Sequence, residues 1–378
     1  MKCIWIHLVI ISIAVVTCKY RRVCYHTSWS QNYSGLGRFV PQDIDPRLCT
    51  HLIYAYGKLQ NNRILKLLDN DIENFKIFND LKYGYPELKT LLAIGGWNAA
   101  SYEFTKMVES SSNRQVFISS TISFLREHNF DGLDLYWQYP SNKHRGGRPQ
   151  DKQNFVLLVK ELKEAFNSET DFMSLITYHL HGHWETETGH HSPLFPRSSG
   201  DERQLNIKWV AEYWVSLGAP KQLLNIGLAT FGRSFKLATS STGIGASATG
   251  QPSKGKHTKQ ASILSYYEAR WMISEGYGGC TVWSLDLDDF NQICPSSKRK
   301  YPLVTKMAEI LLEAENRSLP TQSPRSATRT TAKPASVTKD KQHTGKPGYT
   351  HKPNYPVKIS VKNARKKGNE NKNHFCIR

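Results

Sequence analysis

The sequence predicts an α/β fold in which β/α units surround a parallel sheet. Three observations lead there. Residues 88–97 (Leu-Lys-Thr-Leu-Leu-Ala-Ile-Gly-Gly-Trp) form an almost continuous apolar run, as parallel strands buried on both faces do. Residues 104–128 and 155–166 carry apolar side chains at helical spacing. These helical stretches alternate along the chain with strand-like runs, which is the order of β/α repeats.

Taken in order, residues 1–18 hold Lys2 and then an apolar run broken only by His7 and Ser12, before the polar Lys19-Tyr20-Arg21-Arg22. That reads as a secretory signal peptide, too short and too poorly bounded for a membrane span. No later stretch is long and apolar enough to cross a bilayer, so no membrane partner is expected. Residues 22–29 and 48–59 are β-branched and aromatic runs between polar loops and read as the first two strands. Asn32, in Asn32-Tyr33-Ser34, and Asn316, in Asn316-Arg317-Ser318, are glycosylation acceptors. Residues 88–97 form the third strand, and residues 104–128 predict a helix through Phe104, Val108, Phe117, Ile118, Phe124 and Leu125. Residues 172–180, 223–235 and 278–290 supply later strands.

The most informative strand is residues 130–140, Phe-Asp-Gly-Leu-Asp-Leu-Tyr-Trp-Gln-Tyr-Pro. Side chains alternate along a strand, so Gly132, Asp134, Tyr136 and Gln138 share one face, while Asp131, Leu133, Leu135 and Trp137 share the other. An apolar-rich strand with Asp, Tyr and Gln on one face is lining a site, because buried polar groups without partners cost free energy. The stretch resembles the catalytic strand of glycoside hydrolase family 18, the chitinases and chitinase-like lectins, whose pattern is D-G-x-D-x-D-W-E-Y-P. Asp131 and Asp134 fall on the first two acids, Tyr136 on the third and Gln138 on the catalytic Glu.

The resemblance extends over residues 20–315, a domain we bound at 19–315, and is carried by four strands. It implies an eight-stranded β/α barrel with its site at the C-terminal strand ends. It also implies a disulfide between Cys24 and Cys49, joining the first two strands. Family members hydrolyse chitin when a Glu protonates the leaving oxygen while the substrate's N-acetyl group attacks, the substrate-assisted exception among glycosidases. The carboxamide of Gln138 has no proton acidic enough for that step. Tyr136 replaces the acid that orients the N-acetyl group, and His179 replaces another that helps to bind it. The aromatic residues Tyr25, Trp97, Tyr178, Trp184 and Trp283 match positions directed into the sugar groove, and with Gln138 they form the implied ligand set. Phe231 stands where the family offers a Tyr hydroxyl. The expected function is a secreted, catalytically inactive protein that binds chito-oligosaccharides or related glycans, with no cofactor.

Two segments of the family pattern are missing. The strand at residue 172 begins only 34 positions after Gln138, room for about one β/α unit of ~30 residues, so strand five and its helix are absent and an open seam is expected there. Of the α+β insertion between strands seven and eight, only residues 236–270 remain. Two other readings stay open. A weak chitinase would need His179 or His181 as proton donor. A poorly folding remnant with no binding function would follow from a barrel that cannot close. The histidines at 179, 181, 183, 190 and 191 lack a supporting carboxylate or Cys arrangement, and no metal is expected.

The chain of 378 residues has a formal net charge of +18, and residues 317–378 contain 15 Lys/Arg against 2 Asp/Glu. Residues 316–378 are also rich in Pro, Ser and Thr and predict a disordered tail. Its net +13 would attract sulfated glycans or other polyanions; no nucleic-acid partner is expected.

Overall fold

The computed structural model describes residues 20–166, 171–196, 203–233, 235–249, 279–293, 297–317 and 374–377. Strands β1 (Arg21–Thr27), β2 (His51–Gln60), β4 (Lys89–Gly95), β5 (Gly132–Tyr136), β6 (Phe172–Leu175), β7 (Leu224–Ala229) and β8 (Gly279–Trp283) form one curled parallel sheet. β3 (Arg63–Leu65) is a short antiparallel companion to the end of β2. Around the sheet lie α1 (Asp71–Gly84), α2 (Tyr102–Val108), α3 (Ser111–Glu127), α4 (Asp151–Phe166), α5 (Ile207–Ser216) and α6 (Pro302–Arg317).

Alternation along each strand divides the apolar residues into two layers. Val23, Tyr25, Ile53, Leu91, Ala93, Tyr136 and Phe172 fill the barrel interior. Cys24, Leu52, Tyr54, Leu92, Leu133 and Leu135 belong to the outer layer, with Phe75 and Phe78 of α1, Phe117 of α3 and Leu158 of α4. This is the packing that a sheet buried on both faces requires. The 104–128 stretch is two helices rather than one. The chain breaks after Val108, and the side chain of Ser110 caps α3 by accepting from the Asn113 backbone N–H at 3.2 Å.

The Cys24–Cys49 disulfide is present and ties β1 to the segment entering β2. β1 and β2 pair in parallel, as do β1 and β8, so the sheet closes on itself. Between α4 and β6 there is no further strand among the described residues, as the short spacing predicts. The seam is nevertheless not open. β9 (His374–Ile377) lies parallel to both neighbours, with Gly132 opposite His374 and Leu135 opposite Ile377 on one side. On the other side Phe172 faces Cys376 and Met173 faces Ile377. Edge strands carry unpaired N–H and C=O groups, and a strand from the far end of the chain satisfies them here. One expectation therefore needs correction: the seam is closed, by residues 374–377 at the end of the tail. Residues 318–373, the expected signal segment 1–18 and residues 250–278, which include part of the expected insertion remnant 236–270, lie outside the described residues.

Candidate functional site

The C-terminal ends of the strands converge on Trp283, the last residue of β8. Its ring centroid is 5.0 Å from that of Tyr25, 5.7 Å from Tyr136, and 6.2 Å from both Tyr56 and Trp29. These rings make an aromatic floor across the mouth of the barrel. Beneath it the Tyr25 hydroxyl donates to the carboxylate of Asp134, and both side chains are fully buried. Asp134 thus fastens β1 to β5 under the floor.

Asp131 is at the opposite end. It precedes β5 and accepts from the Thr90 backbone N–H at 2.8 Å, while its carboxylate pairs with Lys82 at 3.0 Å. Its geometry holds the bottom of the strand and takes no part in the cleft. Tyr136 faces inward with the floor, as the alternation requires, while Trp137 turns outward, stacks on Phe104 and donates to Ser101 Oγ at 2.9 Å. Gln138 lies just beyond the strand end, 8% exposed, and its carboxamide donates to the Tyr139 hydroxyl at 3.2 Å.

Two exposed indoles flank the floor. Trp97 follows the Gly95-Gly96 turn and is 61% exposed. At Gly95 φ is +110°, and a Cβ would come within 2.3 Å of the Tyr136 carbonyl oxygen, so only glycine allows this approach of β4 to β5. Arg145 lies over the Trp97 ring, 3.8 Å from its centroid, and donates to the carbonyls of Gln138, at 2.8 Å, and of Trp97. Trp184, 53% exposed, stands on the far side after β6. Gly182 makes room for its ring, since a Cβ there would sit 2.5 Å from the indole. Arg233, in the segment after β7, lies 5.2 Å from the Trp184 ring centroid.

Between Trp184 and the floor is a histidine and aromatic cluster. Tyr178 is buried and meets Phe231 edge-on, with centroids 5.6 Å apart. His179 sits 4.8 Å from the Phe231 ring in a left-handed backbone conformation, φ 62°, an uncommon state for a residue other than glycine. Its imidazole is pushed well down from the usual value, first by desolvation and then by the charges of Arg233 and His191. His191 places one ring nitrogen 2.7 Å from the Phe231 carbonyl, and burial pushes its pKa down to about 4. The Nδ1 of His191 faces the His179 backbone N–H at 3.4 Å, so the two hydrogen bonds fit a neutral ring protonated at Nε2. His181 pairs with Glu185 at 3.0 Å.

Tyr25, Trp97, Gln138, Tyr178, Trp184 and Trp283 are therefore all at the strand ends, on the floor or at its margins. Sequence reasoning missed Trp29, Tyr56, Arg145 and Arg233, and weighed His191 only as a metal ligand. Strict alternation puts Tyr56 on the outer face with Tyr54, but the β2 register shifts between Ala55 and Gly57 and turns Tyr56 inward. Arg145 and Arg233 reach the cleft from loops, where no periodic signal exists. Of the two acceptor asparagines, Asn32 is exposed at the end of a short helix and Asn316 is exposed in the last turn of α6. Among the described residues there is no cluster of three or more His, Cys, Asp or Glu arranged to hold a metal ion, and no helix long and apolar enough to cross a membrane.

Residues 21–171 and 167–288 match the model of glycosyl hydrolases family 18. Mouse (Mus musculus) chitotriosidase-1 is 35% identical over 80% of this chain and 79% of its own length. Mouse oviduct-specific glycoprotein is 36% identical over 80% of this chain, which spans about half, 51%, of that protein. Among solved structures, human YKL-39, described as a pseudo-chitinase with retained chitooligosaccharide binding, superposes with a TM-score of 0.69 at 30% identity. That match covers 77% of this chain and 99% of the other.

Proposed function

The chain belongs to glycosyl hydrolase family 18, and from that premise we propose that it is a non-hydrolytic member which holds N-acetylglucosamine oligosaccharides on the floor around Trp283. The single observation that carries the proposal is Gln138. It occupies the position of the proton donor in the family pattern, and its carboxamide makes a hydrogen bond to the Tyr139 hydroxyl. An amide has no proton to deliver to a leaving oxygen near neutral pH. The neighbouring groups offer no replacement: Tyr136 is packed into the aromatic floor, and His179 and His191 are held neutral.

Support for binding comes from the aromatic floor itself. Sugar rings present apolar C–H faces, and indole and phenol rings provide wide, rigid contact area for them. YKL-39 combines the same two properties by its own description, pseudo-chitinase character with retained chitooligosaccharide binding. The test is a pair of measurements on the full chain. Hydrolysis of a fluorogenic chitobioside should not exceed the buffer rate, and chitotetraose should bind with an affinity that Trp283→Ala lowers at least tenfold. Measurable turnover would overturn the first half of the reading, and unchanged binding by the variant would overturn the second.

The protein is further proposed to act outside the cell, in keeping with the signal-like residues 1–18 and with a disulfide that oxidising compartments preserve. The net +13 of residues 317–378 favours a second, separate attraction for polyanions. Retention on heparin that falls with salt, and that is lost when the Lys and Arg residues of 325–367 become Gln, would establish it. Retention unchanged by those substitutions would assign the attraction to the barrel instead.

A further inference from the structure

The proposed glycan site contains an uncompensated cation that a neutral sugar does not need. Arg233 stands beside Trp184 with its Nε buried and without a hydrogen-bond partner among the described residues. Desolvation lowers its pKa from the usual guanidinium value, so its charge is held at a cost. His179 and His191 both feel its charge, which adds to the burial that is the first cause of their neutral state. Glu185, which follows Trp184 in the chain, is engaged by His181 at 3.0 Å. At the other end of the cleft the Arg145 guanidinium covers Trp97. Each exposed indole of the cleft therefore carries a cation over its ring, while Asp134 is buried beneath the floor and bound to Tyr25.

A guanidinium lying across an indole, with one N–H buried and unused, suits a planar carboxylate or a sulfate better than a hydroxyl. Charge-assisted hydrogen bonds to such groups are about twice as strong as neutral ones. Binding would also remove the cost of an unpaired buried donor, which a neutral sugar could do only in part. We propose that the Trp184 end of the cleft takes an acidic sugar, with Trp184 carrying the ring and Arg233 pairing with its carboxylate or sulfate. This rests on the glycan-binding reading above and narrows it: the preferred ligand keeps N-acetylglucosamine units for the aromatic floor and has an anionic group at or next to one of them.

Three oligosaccharides test the inference on the full chain at fixed salt: chitotetraose, a hyaluronan tetrasaccharide whose carboxylates alternate with N-acetylglucosamine, and chitotetraose sulfated at O6. The expected result is that at least one acidic sugar binds about tenfold or more tightly than neutral chitotetraose. The two acidic probes distinguish a carboxylate from a sulfate as the partner. Arg233→Gln should remove most of that preference, lowering the affinity for the acidic sugar by a clearly larger factor than the affinity for chitotetraose. The basic tail is present in both proteins, so it cannot produce the difference between them. His179→Asp offers a second route, because a carboxylate beside Arg233 should satisfy it internally and weaken the acidic sugar selectively. Equal affinity of wild type for all three sugars, or equal loss for all three in both variants, would overturn the inference. Binding of chitotetraose alone would overturn it while leaving the glycan-binding reading intact. Failure of all three to bind would overturn both.

Discussion

The barrel has two unequal halves. From β1 to β5 the chain is continuous and strongly fixed: a disulfide joins its first two strands, Asp134 anchors Tyr25, and Asp131 ties β5 to Lys82 and Thr90. From β6 to β8 the strands are reached after a missing β/α unit, and β6 is four residues long, held on one side by a strand from the far end of the chain. The cluster of His179, His191, Phe231 and Arg233 belongs to this second half. The contrast shows that the buried supports of the site and the groups that face a ligand are separable. The first half retains the acids that hold strands together, while the positions changed from the catalytic pattern are Tyr136, the last residue of β5, Gln138 just beyond it, and His179 beyond β6.

The largest expected effect tests the first half by pH. His26, on β1, is 1% exposed, boxed by Phe39, Tyr54 and Phe78, and burial pushes its pKa down to about 3. The folded state therefore keeps His26 neutral while the unfolded chain protonates near 6.5. Its contribution is fully present above pH 6.5 and is lost as the pH falls toward 3, by up to about 5 kcal/mol at ~1.4 kcal/mol per unit. Asp286 acts in the other direction, since burial raises its pKa from 3.8 to about 6 and makes stability fall as pH rises across that interval. Thermal melting of wild type and His26→Gln between pH 7 and 4 should show a steeper acid loss for wild type. Parallel pH profiles would contradict the burial of a neutral imidazole.

Breaking the disulfide should come next in size. Cys49→Ala reopens a loop of sequence separation 25, for which chain-entropy reasoning gives a loss of about 3 kcal/mol. Because the bridge lies in the first half, denaturant melting should weaken β1 and β2 together with the rest if the barrel unfolds as one unit. A variant that melts in two phases would show that the halves are energetically distinct.

A smaller effect is expected from the borrowed strand. Cys376 faces Asp134 on one side and Phe172 on the other through its backbone. Cys376→Pro removes an N–H from the middle of a ladder, a change that sheets tolerate poorly, and should cost about 1–2 kcal/mol. Hydrogen exchange should speed up in β6 more than in β4, because β4 is paired on both sides by strands of the first half. Exchange in β6 identical to wild type would mean that β9 contributes no stability to the seam.

The difference between the halves also explains what the sequence revealed. The face shared by Asp134, Tyr136 and Gln138 followed from alternation, and the lost β/α unit from a spacing too short to contain it. Tyr56 was hidden by a register shift that alternation cannot anticipate. The closing strand was hidden for a different reason: 56 residues separate α6 from β9, and His374-Phe375-Cys376-Ile377 is too short to give a periodic signal in a polar, basic tail. Arg233 was legible only as part of the strand-like run 223–235; its place beside Trp184 depends on how two loops meet.

The smallest expected effect is the recovery of hydrolysis by Gln138→Glu. The substitution restores a carboxyl group at the end of β5, next to the Tyr139 hydroxyl, where a proton donor would be needed. Proton donation is only one part of substrate-assisted hydrolysis, however, because the N-acetyl group must also be oriented and its developing positive charge stabilised. At the two positions that would supply carboxylates for this, Tyr136 is packed against Trp283, with centroids 5.7 Å apart, and His179 is neutral beside Arg233. A cationic guanidinium near the developing charge raises the barrier further. Hydrolysis of a fluorogenic chitobioside by Gln138→Glu should therefore remain within about tenfold of the wild-type background. The triple variant Gln138→Glu, Tyr136→Asp, His179→Asp should exceed the single one. A single substitution that restored substantial turnover would show that the second half of the barrel still orients the N-acetyl group, and the separation of supports from chemistry drawn between the two halves would fail.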